Sequence, residues 1–118
     1  MIIFFRSKKM DMEFNTERLL VRNRGAERAR KIKARKTQLE DAVNMDQLRY
    51  LPGHYHALSE NLHGLYAADL DGPYRLIFEP NELPLPELPD GGLDWSKVTK
   101  VTILGVINYH ERNNAEPS

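Results

Sequence analysis

Cysteine is absent from the 118 residues. Its absence excludes a disulfide scaffold, thiolate zinc sites and a cysteine nucleophile. Long apolar runs are lacking too. The longest, Met1 to Phe5 and Ile103 to Ile107, are far too short to span a bilayer, so no membrane association is expected. No basic segment leads into an apolar one in the manner of a secretory leader, and the expected location is the cytoplasm. Net charge is missing as well, with 17 basic and 17 acidic residues. What is present is globular: 41% apolar and 29% charged residues, in a length that holds one core and one domain. A chain of this size needs neither metal nor disulfide to stay folded.

The zero balance hides an asymmetry. Residues 1–60 hold 13 Lys/Arg against 8 Asp/Glu, whereas 61–118 hold 4 against 9. The stretch 18–36 alone carries nine bases and a single acid, Glu27. A solvated helix face is the default reading of such a run. The other is a surface that faces a polyanion, because the signs do not alternate as they do on a self-paired helix.

Periodicity places the elements. Met1 to Phe5 reads as a buried strand and 13–22 as a short helix around Leu19 and Leu20, punctuated by Asn23-Arg-Gly25. The clearest helix is 26–43, with Ala29, Ile32, Leu39 and Val43 on one face and Arg28, Lys31 and Arg35 on the other. Asn44 caps a following turn, Met45 to Tyr50, with Gln47 in a capping-box position. From His54 the period becomes two. Strands are expected over 54–58, 64–70, 74–78 and 98–107, the middle pair joined by a tight Asp71-Gly72 turn. Residues 80–97 form an acidic, proline-rich loop insertion, with four prolines between Pro80 and Pro89 and with Glu82, Glu87 and Asp90. That loop, with Trp95 beside it, is expected either to fold over the basic helix or to join a partner interface. Residues 111–118 read as a flexible tail. Helices followed by a run of strands imply an α+β fold: a mostly antiparallel sheet of four to five strands packed against two main N-terminal helices, in a single domain over 1–110.

Several of these residues also form an ordered pattern. Leu51-Pro-Gly53, His56, Leu58, Gly64 and Tyr66 precede Asp71-Gly-Pro-Tyr-Arg-Leu-Ile-Phe78, and Tyr109-His110 ends the last strand. The pattern resembles the HigB-type killer toxins of the RelE/ParE superfamily, the toxin halves of type II toxin–antitoxin systems. It is sharp over 48–78 and 98–110 and topological over 1–47. The resemblance implies a RelE-like fold, a ribosome-dependent endoribonuclease (an mRNA interferase) that inhibits growth, and no cofactor. As partners it implies the ribosome and mRNA, a cognate helix-turn-helix antitoxin, and operator DNA reached through the antitoxin complex. The family's catalytic His corresponds to His56, if one residue is deleted between Gly53 and that position. Its conserved Arg corresponds to Arg75, and its terminal acid-Tyr-His to Asn108, Tyr109 and His110. Asn108 departs from the usual acid, and the acidic loop and neutral net charge are unusual for the family.

RNA cleavage by internal attack needs a base for the 2′-hydroxyl proton, an acid for the leaving 5′-oxygen and a cation for the phosphoryl oxygens. His56 and His110 suit the proton transfers, Arg75 the phosphate, and Tyr109 a stacked base; no metal is required. Asn108 cannot transfer a proton but can bond a base edge, and its presence is expected to weaken or retarget cleavage. Arg28, Lys31 and Arg35 are candidates for contacts to RNA phosphates. The plainer readings are histidines on a wet face, an Arg75 paired with Asp69 or Asp71, and a core Tyr109. His54-x-His56 could instead begin a metal site completed by His63 and His110. Two other functions stand beside the nuclease: a ParE-like inhibitor of DNA gyrase, which would not need His56, Arg75, Tyr109 and His110, and a degenerate toxin that only binds antitoxin or operator.

Overall fold

Alternation sets the first strand. Within Ile2–Phe5 (β1), Ile3 and Phe5 pack inward while Ile2 and Phe4 stay exposed. A computed structural model describes residues 1–111, 117 and 118. In it β1 runs parallel to the last strand, Lys100–Asn108 (β5), with Ile3 opposite Val101 and Phe5 opposite Ile103. Antiparallel pairing then adds Tyr74–Pro80 (β4), Tyr66–Asp69 (β3) and the two-residue His56–Ala57 (β2), in the order β1-β5-β4-β3-β2. The protein is α+β, with an open, mixed five-stranded sheet.

Three helices cover one face: Lys8–Phe14 (α1), Glu17–Arg24 (α2) and Ala26–Asp41 (α3). The helix expected over 13–22 is thus two helices. Asn15 folds its side chain back onto Asp11, donating to its carbonyl at 2.9 Å and its carboxylate at 2.6 Å, and Thr16 turns extended to open α2. This is the competition with the backbone that makes asparagine a helix stop. Ser7 caps α1 through a 3.1 Å bond from the Met10 amide, a cap the apolar pattern did not disclose. Gly25, at φ +85°, turns the chain between α2 and α3.

Helix α3 buries Ala29, Ile32 and Leu39 as its spacing predicts, but it ends at Asp41, and Val43 is 68% exposed. A larger correction concerns Arg35, which lies on the buried stripe and is only 8% exposed. The main core joins these helical residues to Leu76, Phe78, Val101, Ile103 and Val106 of the sheet. The alternate sheet residues Ala67, Ile77 and Ile107 form a smaller core on the opposite face, under Leu58 and Leu62. At Ile77/Phe78 the β4–β5 register slips by one residue opposite Gly105, a bulge that bends β5.

The acidic loop does not lie over the basic helices. It shares a hollow with Ala57, Leu58, His63 and Tyr66 on the β2–β3 side, and the Glu82 carboxylate accepts from the Thr99 amide at 2.9 Å. Trp95 is buried edge-on to Tyr66, with the Arg49 guanidinium 3.9 Å over its ring. Of the tail expected over 111–118, residues 112–116 lie outside the described residues, while Ser118 exchanges two backbone hydrogen bonds with Val106.

One ion pair ties the helical layer together. Arg24 and Glu13 meet at 2.9 Å with side chains 14% and 12% exposed. Burial disfavours the Glu13 carboxylate, but hydrogen bonding and charge from Arg24 outweigh it and hold the group below its ordinary range. Glu13→Gln should therefore cost about 1–2 kcal/mol at neutral pH. That contribution is present above the carboxyl's unfolded pKa and is lost as pH falls through the lower, folded one. Urea unfolding at successively lower pH checks this: a difference that stays constant through the acid range contradicts it.

Candidate functional site

The site is built on the segment Pro52 to Ala57, where the chain leaves the helical layer for the sheet. Tyr55 points into the core, edge-on to Phe78, and its hydroxyl donates to Gln38 Oε1 at 2.7 Å. Burial raises its phenol well above the ordinary range, with Arg35 partly opposing, so Tyr55 is an anchor and not a proton donor in catalysis. With Tyr55 inward, His54 and His56 both point outward. Their rings stack at 4.6 Å and 25°. His54 does not belong to a strand: its φ is +50°, a conformation that is uncommon for a residue other than glycine.

Arg35 sets this geometry from below. Its Nε donates to the Asp69 carbonyl at 2.8 Å, and its Nη1 donates to the Pro52 carbonyl at 3.3 Å and to Gln38 Oε1 at 3.4 Å. Gly53 crosses directly over the guanidinium at φ +123°; a Cβ there would sit 2.8 Å from Nε. The Asp69 amide donates to the Gly53 carbonyl at 2.7 Å, which closes the turn onto β3. Arg35 therefore positions the site from inside the fold and is not available to RNA.

On the face away from the helices, Asp69 and Arg75 are cross-strand neighbours in β3 and β4. Arg75 Nε lies 3.0 Å from Asp69 Oδ1, and Arg75 Nη1 donates to the carbonyls of Gly72 and Tyr74 at 2.9 and 3.0 Å. Asp69 Oδ1 is buried and takes no hydrogen bond, so the contact with Arg75 is ionic and misaligned. The hydrogen bonds of the Arg75 guanidinium to described residues are both made by Nη1, and none is made by Nη2. The guanidinium lies 5.0 Å over the Tyr109 ring, and Tyr109 meets His56 edge-on at 6.5 Å. His56 Nδ1 lies 2.7 Å from the His54 carbonyl. A carbonyl only accepts, so Nδ1 carries the proton and Nε2 presents the lone pair.

Three of the four expected catalytic residues, His56, Arg75 and Tyr109, thus meet on one face. His110 follows Tyr109 in a single 3-10 turn, with its ring exposed and outside the cluster among the described contacts. Asn108 lies opposite Tyr74, and its Oδ1 accepts from the His110 amide at 3.0 Å, which caps that turn. Of the expected phosphate contacts, Lys31 is half-buried without an acidic partner among the described residues. Arg28 is held by Asp71 at 3.1 Å and stacks 3.3 Å over Tyr74. Counting Arg24, Arg28, Lys33 and Lys36 in ion pairs and Arg35 in the core, five of the nine bases of 18–36 are engaged within the fold.

Asp69 was not singled out as a site residue by the sequence, and His54 was considered only as a metal ligand, yet both lie beside His56. The signal for Asp69 was its predicted pairing with Arg75 across the hairpin. The four-histidine grouping does not form as suggested: His63 stands beside the acidic loop, while Asp69 lies with His54 and His56. No helix among the described residues is long and apolar enough to cross a membrane. The chain matches no protein-family model and no curated protein.

Proposed function

We propose that the chain is the toxin component of a type II toxin–antitoxin pair, a HigB-type member of the RelE/ParE superfamily that cuts mRNA on the ribosome. The observation that carries this reading is the meeting of His56, Arg75 and Tyr109 on one sheet face, from three separate segments. The α+β layering, with one strand, three helices and then the remaining strands of the sheet, is compatible with a RelE-like domain. In this reading the protein acts in the cytoplasm, and a helix-turn-helix antitoxin binds it and carries the complex to operator DNA.

The chemistry follows from the available atoms. His56 Nε2 takes the 2′-hydroxyl proton, and the 2′-oxygen attacks the adjacent phosphorus. The bond from phosphorus to the 5′-oxygen breaks, and this reading assigns that oxygen's proton to His110, whose exposed ring must turn in from outside the cluster. The products are a 2′,3′-cyclic phosphate and a 5′-hydroxyl. Arg75 Nη2 donates to a phosphoryl oxygen and Tyr109 stacks a splayed base. Lys31, without an acidic partner among the described residues, meets backbone phosphates, a contact that weakens with salt.

Purified protein with programmed ribosomes and end-labelled mRNA tests this, with His56→Ala and His110→Ala alongside. Ribosome-dependent cuts that vanish in His56→Ala support it. A protein that arrests growth without cutting has another target, such as gyrase. A binding-only module is favoured by one observation, the engagement of Arg75 by Asp69 and two carbonyls. It predicts neither cutting nor growth arrest.

Asn108→Asp should preserve the fold, because an aspartate oxygen accepts the same bond from the His110 amide. It should raise the cleavage rate by roughly tenfold, less than the roughly 10²- to 10⁴-fold of a full acid–base group, because histidines are already assigned the proton transfers. Single-turnover cleavage checks this, and an unchanged rate leaves Asn108 with a capping role alone.

A further inference from the structure

We infer that His54, His56 and Asp69 form a binding site for a divalent transition-metal ion of the zinc type. One ligand atom from each residue lies within 4.8 Å of the other two. His54 Nδ1 is already 3.9 Å from Asp69 Oδ1. A tetrahedral zinc site needs its ligand atoms about 3.3 Å apart, from bonds of roughly 2.0–2.1 Å. The closure required is small, and the 75% exposed His54 ring can turn to supply it.

Three features prepare the site. His56 Nδ1–H is held by the His54 carbonyl at 2.7 Å, the bond from a ligand's second ring nitrogen that fixes metal-binding histidines and leaves Nε2 for the ion. Asp69 Oδ1 is buried and takes no hydrogen bond, its contact with Arg75 being ionic and misaligned, so it keeps a lone pair for an ion beside the two imidazoles. Finally, the backbone of Asp69 is pinned on both sides, by Arg35 at its carbonyl and Gly53 at its amide, so the carboxylate does not have to be ordered on binding. The Arg75 guanidinium lies 3.0 Å from Asp69 Oδ1, and the carboxylate's negative charge offsets its repulsion of an ion.

The donor set decides the ion. Two imidazoles and one carboxylate suit zinc, nickel or copper, and magnesium, which prefers oxygen and keeps its water, is a poor match. Three protein ligands leave the fourth position open to water. The site stands on this geometry alone. Its consequence for cleavage rests on the proposed function: an ion on His56 Nε2 removes the base, so zinc would inhibit and a chelator restore.

Titration calorimetry of the full chain with zinc chloride tests the site, with magnesium chloride in parallel. The expected result is one equivalent of zinc bound, with affinity reduced at least about tenfold in His54→Ala and in Asp69→Asn, and unchanged in His63→Ala. His54 is exposed, so its variant tests the site without threatening the fold. Absence of zinc binding, binding that survives both substitutions, dependence on His63, or a preference for magnesium each overturns the proposal. Because the readout is binding, a protein that binds zinc but does not cut RNA refutes only the nuclease reading, and the reverse result refutes only this one.

Discussion

Arg75→Ala should reduce ribosome-dependent cleavage by about 10²- to 10³-fold, the loss that follows removal of one preorganised donor to a developing charge. The reason lies in which of its donors remain. Nε faces Asp69 and Nη1 is held by two carbonyls, so Nη2 is the edge left to meet a phosphoryl oxygen. Those same contacts hold the guanidinium in one place over Tyr109, so its position is set before substrate arrives. Arg75→Lys should recover little, because an ammonium cannot make the three contacts that aim the group. The substitution also strips Asp69 of its cation, and a carboxylate oxygen left buried costs about 1–3 kcal/mol. Unfolding curves must therefore accompany the rates. A folded Arg75→Ala that cuts at the normal rate would remove Arg75 from the chemistry and leave it as a partner for Asp69.

Arg35→Ala should lower stability by about 3–5 kcal/mol, because two carbonyl oxygens each lose an Arg35 donor at about 1–3 kcal/mol and the packing of Gly53 is lost as well. Carbonyl oxygens of Pro52 and Asp69 would lose their donor, and Gly53 would lose the group it is packed against. For a domain of this size the melting temperature should fall by more than about 10 °C. Lys31→Ala, one helical turn earlier and without an acid partner among the described residues, should change stability by less than about 0.5 kcal/mol. The pair separates two roles for the basic stretch. If Arg35 bound RNA, its loss would lower salt-sensitive ribosome binding and leave the melting temperature alone. If it supports the site, the melting temperature falls and the His54–Asp69 geometry goes with it.

The position of Arg35 was partly legible. Ile32, Arg35 and Leu39 follow the three- and four-residue spacing of a single helical stripe. A charge on such a stripe is read as exposed because burying an unpaired guanidinium is costly. Here acceptors from Pro52 and Asp69, far along the chain, lift that cost. The same limit applies to His54. Alternation from His54 to Leu58 reads as a strand, but bonding of the Asp69 amide to the Gly53 carbonyl pulls the turn closed and drives His54 to positive φ.

Local rules carried far where the forces are local. Period-two alternation gave β4 its two faces, so Arg75 points away from Tyr74, Leu76 and Phe78, and the Asp71-Gly72 turn set Asp69 opposite Arg75. Helix α3, the cap at Asn44 and the final strand were read from the same kind of pattern. These features depend on neighbours a few residues apart, and neighbours are written in the chain. Only tertiary structure decided which bases remain on the surface, where the acidic loop lies, and that Asp69 sits with two histidines. Each of those outcomes depends on a partner distant in sequence, whose approach is set by closure of the core and sheet as a whole.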